Sequence, residues 1–331
     1  MNLEAHVSLA GVRPTVGGIH LGHYVGNIEP TREREAGGWA TFFMLADLHE
    51  AAESCVEVEQ AVLQMVADVL ACGLDGEKTS ICLESHLASN LLPFMSYLSE
   101  LVSLSRIQRL PAIKVAAERG ERSYHLSFFN IPILEAIDIL AIRAECVCAN
   151  EDNRPFVELT RELAHKLNKR CGNLFPEPTL VTGALPFLVG TDGSKMSKAR
   201  GNCIFISDPP DVLRHKVMKM YTDPVRLHAD VPGDPTNNPV FIYHRLFNPR
   251  QAEVAQMDGL YRSGGIKDVE VKQRLVEVLE ARIAPIRERS KSLLANPKGL
   301  LAALKNGTVN CDERVAATVD RFREAVGKRL F

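Results

Sequence analysis

Two histidines three residues apart, His20 and His23, close the run Ala10-Gly11-Val12-Arg13-Pro14-Thr15-Val16-Gly17-Gly18-Ile19-His20-Leu21-Gly22-His23. Residues at that spacing share a helical face. The Gly17-Gly18 pair breaks regular structure just before them. A helix N-terminus reached through glycines offers free backbone N–H groups and the positive end of the helix dipole, which suits a phosphate. Gly22 leaves room for a flat group to lie against the backbone. The chemistry is nucleotide binding, with imidazoles as donors beside a phosphate. Spaced dinucleotide-binding glycines and a Gly-Lys-Ser/Thr phosphate loop are both absent, and a glycine turn before a helix is by itself an ordinary structural feature.

Two lysines three apart, Lys195 and Lys198, flank Met196 and Ser197 in the glycine-bordered stretch 190–202. A mobile loop of this kind can deliver two cations to a polyphosphate when it closes. Taken alone, it is ordinary solvated surface. Glu135 and Asp138 are also three apart, among Ile133, Leu134, Ile137, Ile139 and Leu140. Carboxylates on a mostly apolar helix are costly if buried without partners. Either that face is solvated, or it lines a polar pocket.

The frame that must hold these groups reads as alternating strands and helices. Residues 6–9, 40–46, 81–83, 144–149 and 179–182 are short apolar runs of buried parallel strands. Val58, Val62, Met65, Val66, Val69 and Leu70 recur at helical spacing, and Gly73 ends that helix. Further helices are expected over 90–104, over 132–142 with Pro132 in the first turn, and over 153–170. The fold class is α/β: a Rossmann-like parallel sheet with helices on both faces, plus a C-terminal all-helical domain. The boundary falls between residues 1–206 and 207–331, where the pattern changes to helices joined by Pro/Gly turns. In such sheets ligands sit at the carboxyl ends of the strands. His49 follows the second strand there, and either lines the site or starts a helix.

A chain of 331 residues can bury a sizeable core. Its formal net charge of −2 confines any nucleic-acid surface to a local patch. The 8 cysteines form no framework, and Cys146-Val147-Cys148 lacks partners at zinc spacing, so no metal site is expected. With neither a signal peptide nor a membrane-spanning run, the expected compartment is a reducing cytoplasm.

The two loops, in this order, resemble the paired signatures of class I aminoacyl-tRNA synthetases. The runs 10–15 and 131–140, and Glu151-Asp152 followed by Val157-Glu158-Leu159-Thr160-Arg161, are similar to tryptophanyl-tRNA synthetases. The resemblance covers nearly the whole chain. It implies ATP-dependent activation of tryptophan as an aminoacyl-adenylate and transfer to tRNA(Trp), with Mg²⁺ accompanying ATP. It also implies a homodimer, no membrane partner, and an anticodon-reading role for 207–331. Arg282, Arg287, Arg289 and Lys291 are then either contacts to tRNA phosphates or a solvated helix face. The implied catalytic residues are His20, His23, Lys195 and Lys198. Thr15, Gly22, His23, Lys195, Met196, Ser197 and Lys198 would bind ATP. Arg13, Ile131, Glu135, Asp138 and Asn153 would bind the amino acid, with Asp138 accepting the indole N–H.

Several positions depart from the family pattern. Glu135 and Ile131 stand where a methionine and a tyrosine are usual, Arg13 and Asn153 where glutamines are, and Phe156 where a histidine is. The usual lysine-rich motif reads Leu110-Pro111-Ala112-Ile113-Lys114, which leaves Arg109 or Lys114 to supply its cation. A carboxylate at 135 beside Asp138 needs a partner, either Arg13 or a charge on the ligand. Two alternatives follow. One is a paralogue that adenylates a different amino or carboxylic acid, possibly without tRNA. The other is a non-catalytic synthetase-like binding protein, against which the retention of both loops argues.

Overall fold

The computed structural model describes residues 6–49, 55–118, 126–223, 226, 228 and 230–327. Five strands, β1 (Val7–Val12), β2 (Ala40–Leu45), β3 (Thr79–Leu83), β4 (Cys146–Cys148) and β5 (Thr179–Val181), form one sheet in the order β3-β2-β1-β4-β5. Every pairing is parallel, with Val7 opposite Ala40 and Thr41 opposite Thr79. Parallel strands need crossover helices, and these supply both faces. In chain order the helices are α1 (Leu21–His23), α2 (Glu29–Ala36), α3 (Cys55–Ala71), α4 (Ala88–Ser99), α5 (Leu104–Gln108), α6 (Pro111–Glu118), α7 (Leu126–Ala141) and α8 (Arg154–Cys171). After them come α9 (Pro210–Met218), α10 (Pro239–Phe247), α11 (Gln251–Ser263), α12 (Asp268–Leu294) and α13 (Pro297–Ala325).

Alternation along β2 divides the core in two. Phe43 and Leu45 join the side chains of α3, α10 and α12, whereas Phe42 and Met44 join α4, α7 and α8. The α/β sheet with helices on both faces and a helical C-terminal region is therefore as expected. Two local expectations need correction. Pro132 is not in a first turn: α7 already begins at Leu126, so the proline sits inside the helix. The apolar run Leu126, Phe128, Phe129 extends the helix backwards past it. The helix expected over 90–104 stops at Ser99, and Ser103 starts α5 by accepting a hydrogen bond from the Arg106 N–H at 3.3 Å.

The last helix returns to the sheet. Thr308 Oγ1 on α13 accepts the Leu83 N–H of edge strand β3 at 3.1 Å, and the buried Arg314 donates from Nε to Ile142 O at 2.6 Å. Gly307 permits this approach, since a Cβ there would lie 2.2 Å from Ile81 O. Alanine has the better helix propensity by ~1 kcal/mol. Its methyl would press on strand backbone that cannot rotate away, and overpacking of that kind costs ~1–3 kcal/mol. Gly307→Ala should therefore lower the denaturant midpoint, and an unchanged or raised midpoint would mean that α13 does not pack this closely on β3.

Candidate active site

The histidine loop is built by a single buried carboxylate. After β1 the chain turns through Gly17 and Gly18, with φ of 93° and 73°, a left-handed backbone that glycine adopts freely. A side chain on Gly18 would collide with Asp68 Oδ2 at 2.2 Å. Asp68, on α3, accepts the Ile19 N–H at 3.0 Å, the Gln64 amide at 2.8 Å and the Ser290 hydroxyl of α12 at 2.6 Å. It thus fixes the residue preceding His20 and ties that residue to the C-terminal helices.

His20 then caps α1, its Nδ1 accepting the His23 N–H at 3.2 Å. In a neutral imidazole the other nitrogen carries the proton, so Nε2 is a donor. Burial and then the charge of Lys198 push His20 down to about 3. Burial, followed by His20, Lys198 and Arg13, holds His23 well below the usual range. The two rings stack with centroids 3.7 Å apart. With both held below the usual range, the rings are uncharged near neutral pH.

The lysine loop closes onto this turn. Lys198 Nζ donates to Thr15 Oγ1 and, at 3.2 Å, to Gly18 O. Lys195 Nζ donates to Asp152 Oδ2 at 2.6 Å. Asn202 shapes the loop, accepting the Ser197 N–H at 2.7 Å and donating to Lys195 O at 3.1 Å. Gly22 lies under it: a Cβ there would be 3.0 Å from the His20 ring and 3.3 Å from Met196 Sδ. Thr15, Gly22, His20, His23, Met196, Ser197 and both lysines are therefore brought together.

A second group of residues forms a polar floor at the carboxyl ends of β2 and β3. His49 is buried there, its Nε2 3.3 Å from Asp138 Oδ2 and 3.3 Å from Glu84 Oε1. Glu84 Oε2 also accepts the Leu48 N–H at 3.1 Å. Burial opposes a charge on His49, but Asp138 and Glu84 outweigh it and raise the imidazole to about 10. Burial, then Glu84, raises Asp138 to about 7 against the pull of His49. Donor atoms of His49, Glu84 and Asp138 lie within 4.8 Å of one another, a spacing that could hold a cation. Protonated His49 occupies the cation's place between the carboxylates. Asp138 Oδ1 is buried and has no hydrogen-bond partner among the described residues.

Ile131, Glu135 and Asp138 form one stripe of α7, and it runs from half-buried to buried. Burial raises Glu135 to about 7, opposed by His49 and Arg13. Arg13 is exposed just past β1. Asn153 ends the turn Glu151–Asn153 and donates to Asn150 O at 3.3 Å, while Asn150 reaches Gly22 O at 3.5 Å.

The basic run of α12 does not all face outwards. Arg287 is buried against Asp208 O and Glu280, and Arg282 donates to Tyr24 Oη at 2.7 Å. Both brace the helices against the signature loops. Arg109 and Lys114 are exposed, and the part of the 106–122 stretch beyond Glu118 lies outside the described residues. Sequence reading missed Asp68 and Glu84. A lone carboxylate on the apolar stripe of α3 was the available signal for the first.

An unfolded chain protonates its histidines below about pH 6.5, whereas His20 in the fold resists protonation down to about 3. The stability it confers is complete above about 6.5 and is lost as pH falls towards 3, by at most ~1.4 kcal/mol per pH unit. Denaturant midpoints of His20→Gln should fall less steeply than wild type between pH 6.5 and 4. Equal slopes would contradict a buried, neutral His20.

Comparison with known proteins agrees with this geometry. The family description tRNA synthetases class I (W and Y) matches residues 2–284. The tryptophan–tRNA ligase of Chlamydia caviae is 41% identical over 94% of this chain and 92% of its own. That of Treponema pallidum is 40% identical over 96% of each. The solved tryptophanyl-tRNA synthetase of Campylobacter jejuni complexed with ADP and tryptophan superposes with a TM-score of 0.82 at 26% identity, covering 97% of this chain and 99% of that one. Two signature loops closed on one another at the carboxyl edge of a parallel sheet, together with these similarities, establish that the chain belongs to the class I tRNA synthetases of the W and Y family.

Proposed function

We propose that the protein activates tryptophan with ATP and transfers it to tRNA. The observation that carries the choice of tryptophan is Asp138 Oδ1, a buried carboxylate oxygen without a donor at the floor of the pocket. An indole N–H supplies what it lacks, and an unfilled buried acceptor costs ~1–3 kcal/mol.

In the first step an oxygen of the amino acid carboxylate bonds to the α-phosphorus of ATP. The bond from that phosphorus to the bridging oxygen breaks, and pyrophosphate leaves with the electron pair. In the second step a hydroxyl of the tRNA 3′ end attacks the acyl carbon, the acyl–phosphate C–O bond breaks, and AMP departs with the electron pair as the hydroxyl proton passes to a phosphate oxygen or water. Positioning and charge stabilisation supply most of the rate. Neutral His20 offers Nε2–H to a phosphate oxygen without adding charge. Lys195 and Lys198 meet the charge that gathers on the pyrophosphate. Lys195 gives up only an exposed pair, side chains 60% and 40% accessible, to do so. Such pairs are worth ~1 kcal/mol or less, so a phosphate displaces Asp152 readily. Thr15 and Gly18 O would release Lys198 in the same movement. Asp152 and Asp192 are engaged with Lys195 and with Ser194 and Asn202. Mg²⁺ accompanying ATP would be held mainly by ATP oxygens and water, as is usual for this ion.

The helical region 207–331 would meet tRNA, and a homodimer in the cytoplasm is the expected setting. No helix among the described residues is long and apolar enough to cross a membrane. ATP–pyrophosphate exchange over the twenty amino acids tests the reading. Tryptophan alone should support exchange, and Lys195→Ala should cut kcat by ~10²-fold with little change in tryptophan affinity. Exchange driven by lysine or arginine instead would favour the paralogue.

A further inference from the structure

An amino acid substrate brings three groups into the pocket. Its side chain goes to the floor and its carboxylate goes to the phosphates. The third, the α-ammonium, needs an acceptor between them. Resting on the reading above, we propose that Glu135 is the counter-ion of the substrate's α-ammonium group.

Most acidic side chains of the pocket are already committed. Glu84 holds the Leu48 N–H and His49, and Asp138 holds His49, while Asp152 is exposed on the side of the lysine loop, where it meets Lys195. Glu135 has neither a hydrogen bond nor an ion pair among the described residues. Its position fits the ammonium. Ile131, Glu135 and Asp138 are at i, i+4 and i+7 of α7, so they make one stripe. Glu135 lies three residues, about 4.5 Å along the helix axis, on the mouth side of Asp138. It is half-buried where Asp138 is buried. Charges of both ends of the pocket reach it: His49 and Glu84 from the floor, Arg13 and Asp152 from the side of the lysine loop. A substrate with its side chain seated on Asp138 and its carboxylate turned to the α-phosphate passes its α-carbon by this residue.

The energetics point the same way. Burial disfavours the charged form of this carboxylate, and an arriving cation offsets that penalty. An ammonium–carboxylate contact in a partly desolvated site is stronger than one in water. The methionine usual at 135 could not make it, and Ile131, one turn towards the mouth, offers no polar atom in its place.

Titration calorimetry of wild type and Glu135→Gln with tryptophan, tryptamine and indole-3-propionate tests the assignment. Wild type should bind tryptophan and prefer it to indole-3-propionate, which lacks the ammonium, by tenfold or more. Glu135→Gln should lose at least tenfold in tryptophan affinity. It should no longer discriminate against indole-3-propionate, and its affinity for ATP should be unchanged. Glu135→Asp, which keeps the charge, should retain part of the discrimination. The melting temperature of Glu135→Gln should equal or exceed that of wild type, since no protein partner is lost. Unchanged or tighter tryptophan binding by a folded Glu135→Gln overturns the assignment and leaves the tryptophan reading standing. Failure of wild type to bind tryptophan, with clear binding of lysine or arginine, overturns both.

Discussion

Negative charge buried at the carboxyl edge of the sheet is the constraint around which the pocket is arranged. Asp138 and Glu84 come from α7 and from the end of β3, and neither is tolerable in isolation. His49 lies between them as an internal cation, 3.3 Å from each. One imidazole therefore joins β2, β3 and α7 at the place where a ligand's side chain would end. The balance is incomplete, because one oxygen of Asp138 stays without a donor and Glu135 adds a further carboxylate nearby. An uncharged N–H suits the first and a cation the second. An indole amino acid carries both.

A second buried carboxylate performs the corresponding task for the nucleotide half. Asp68 holds the backbone just before His20 and accepts the Ser290 hydroxyl from α12. Arg282 and Arg287 fasten the same helix to Tyr24 and to Asp208 O. Farther on, α13 supplies Thr308 to β3 and Arg314 to the chain after α7. The helices beyond residue 206 are thus mechanically continuous with the signature loops. A partner that moves α12 would also move the N-cap of α1.

What was legible in the sequence is what is local. The histidine and lysine loops are contiguous strings whose glycines and charges state their chemistry, and the parallel strands are unbroken apolar runs. Asp138 was legible as an odd carboxylate on an apolar helix. Glu84 and Asp68 were not, because each matters through a partner far along the chain, such as Ser290 for Asp68. Arg287 reads as surface charge on its own helix and is buried only because Asp208 O lies opposite it. Pro132 misled for a different reason. Proline is commonest in a first turn, yet it is tolerated inside α7, where tertiary packing outweighs one missing hydrogen bond.

The central claim is that Asp138 selects the amino acid by accepting an indole N–H. It is tested most directly by replacing that N–H and nothing else. β-(3-Benzothienyl)alanine has sulfur in its place with nearly the same shape. A site built to hydrogen-bond a donor rejects the analogue lacking it by ~10⁴-fold. Pyrophosphate exchange should therefore show kcat/KM for tryptophan exceeding that for the benzothienyl analogue by a factor of that order. Equal values for the two would contradict the role given to Asp138.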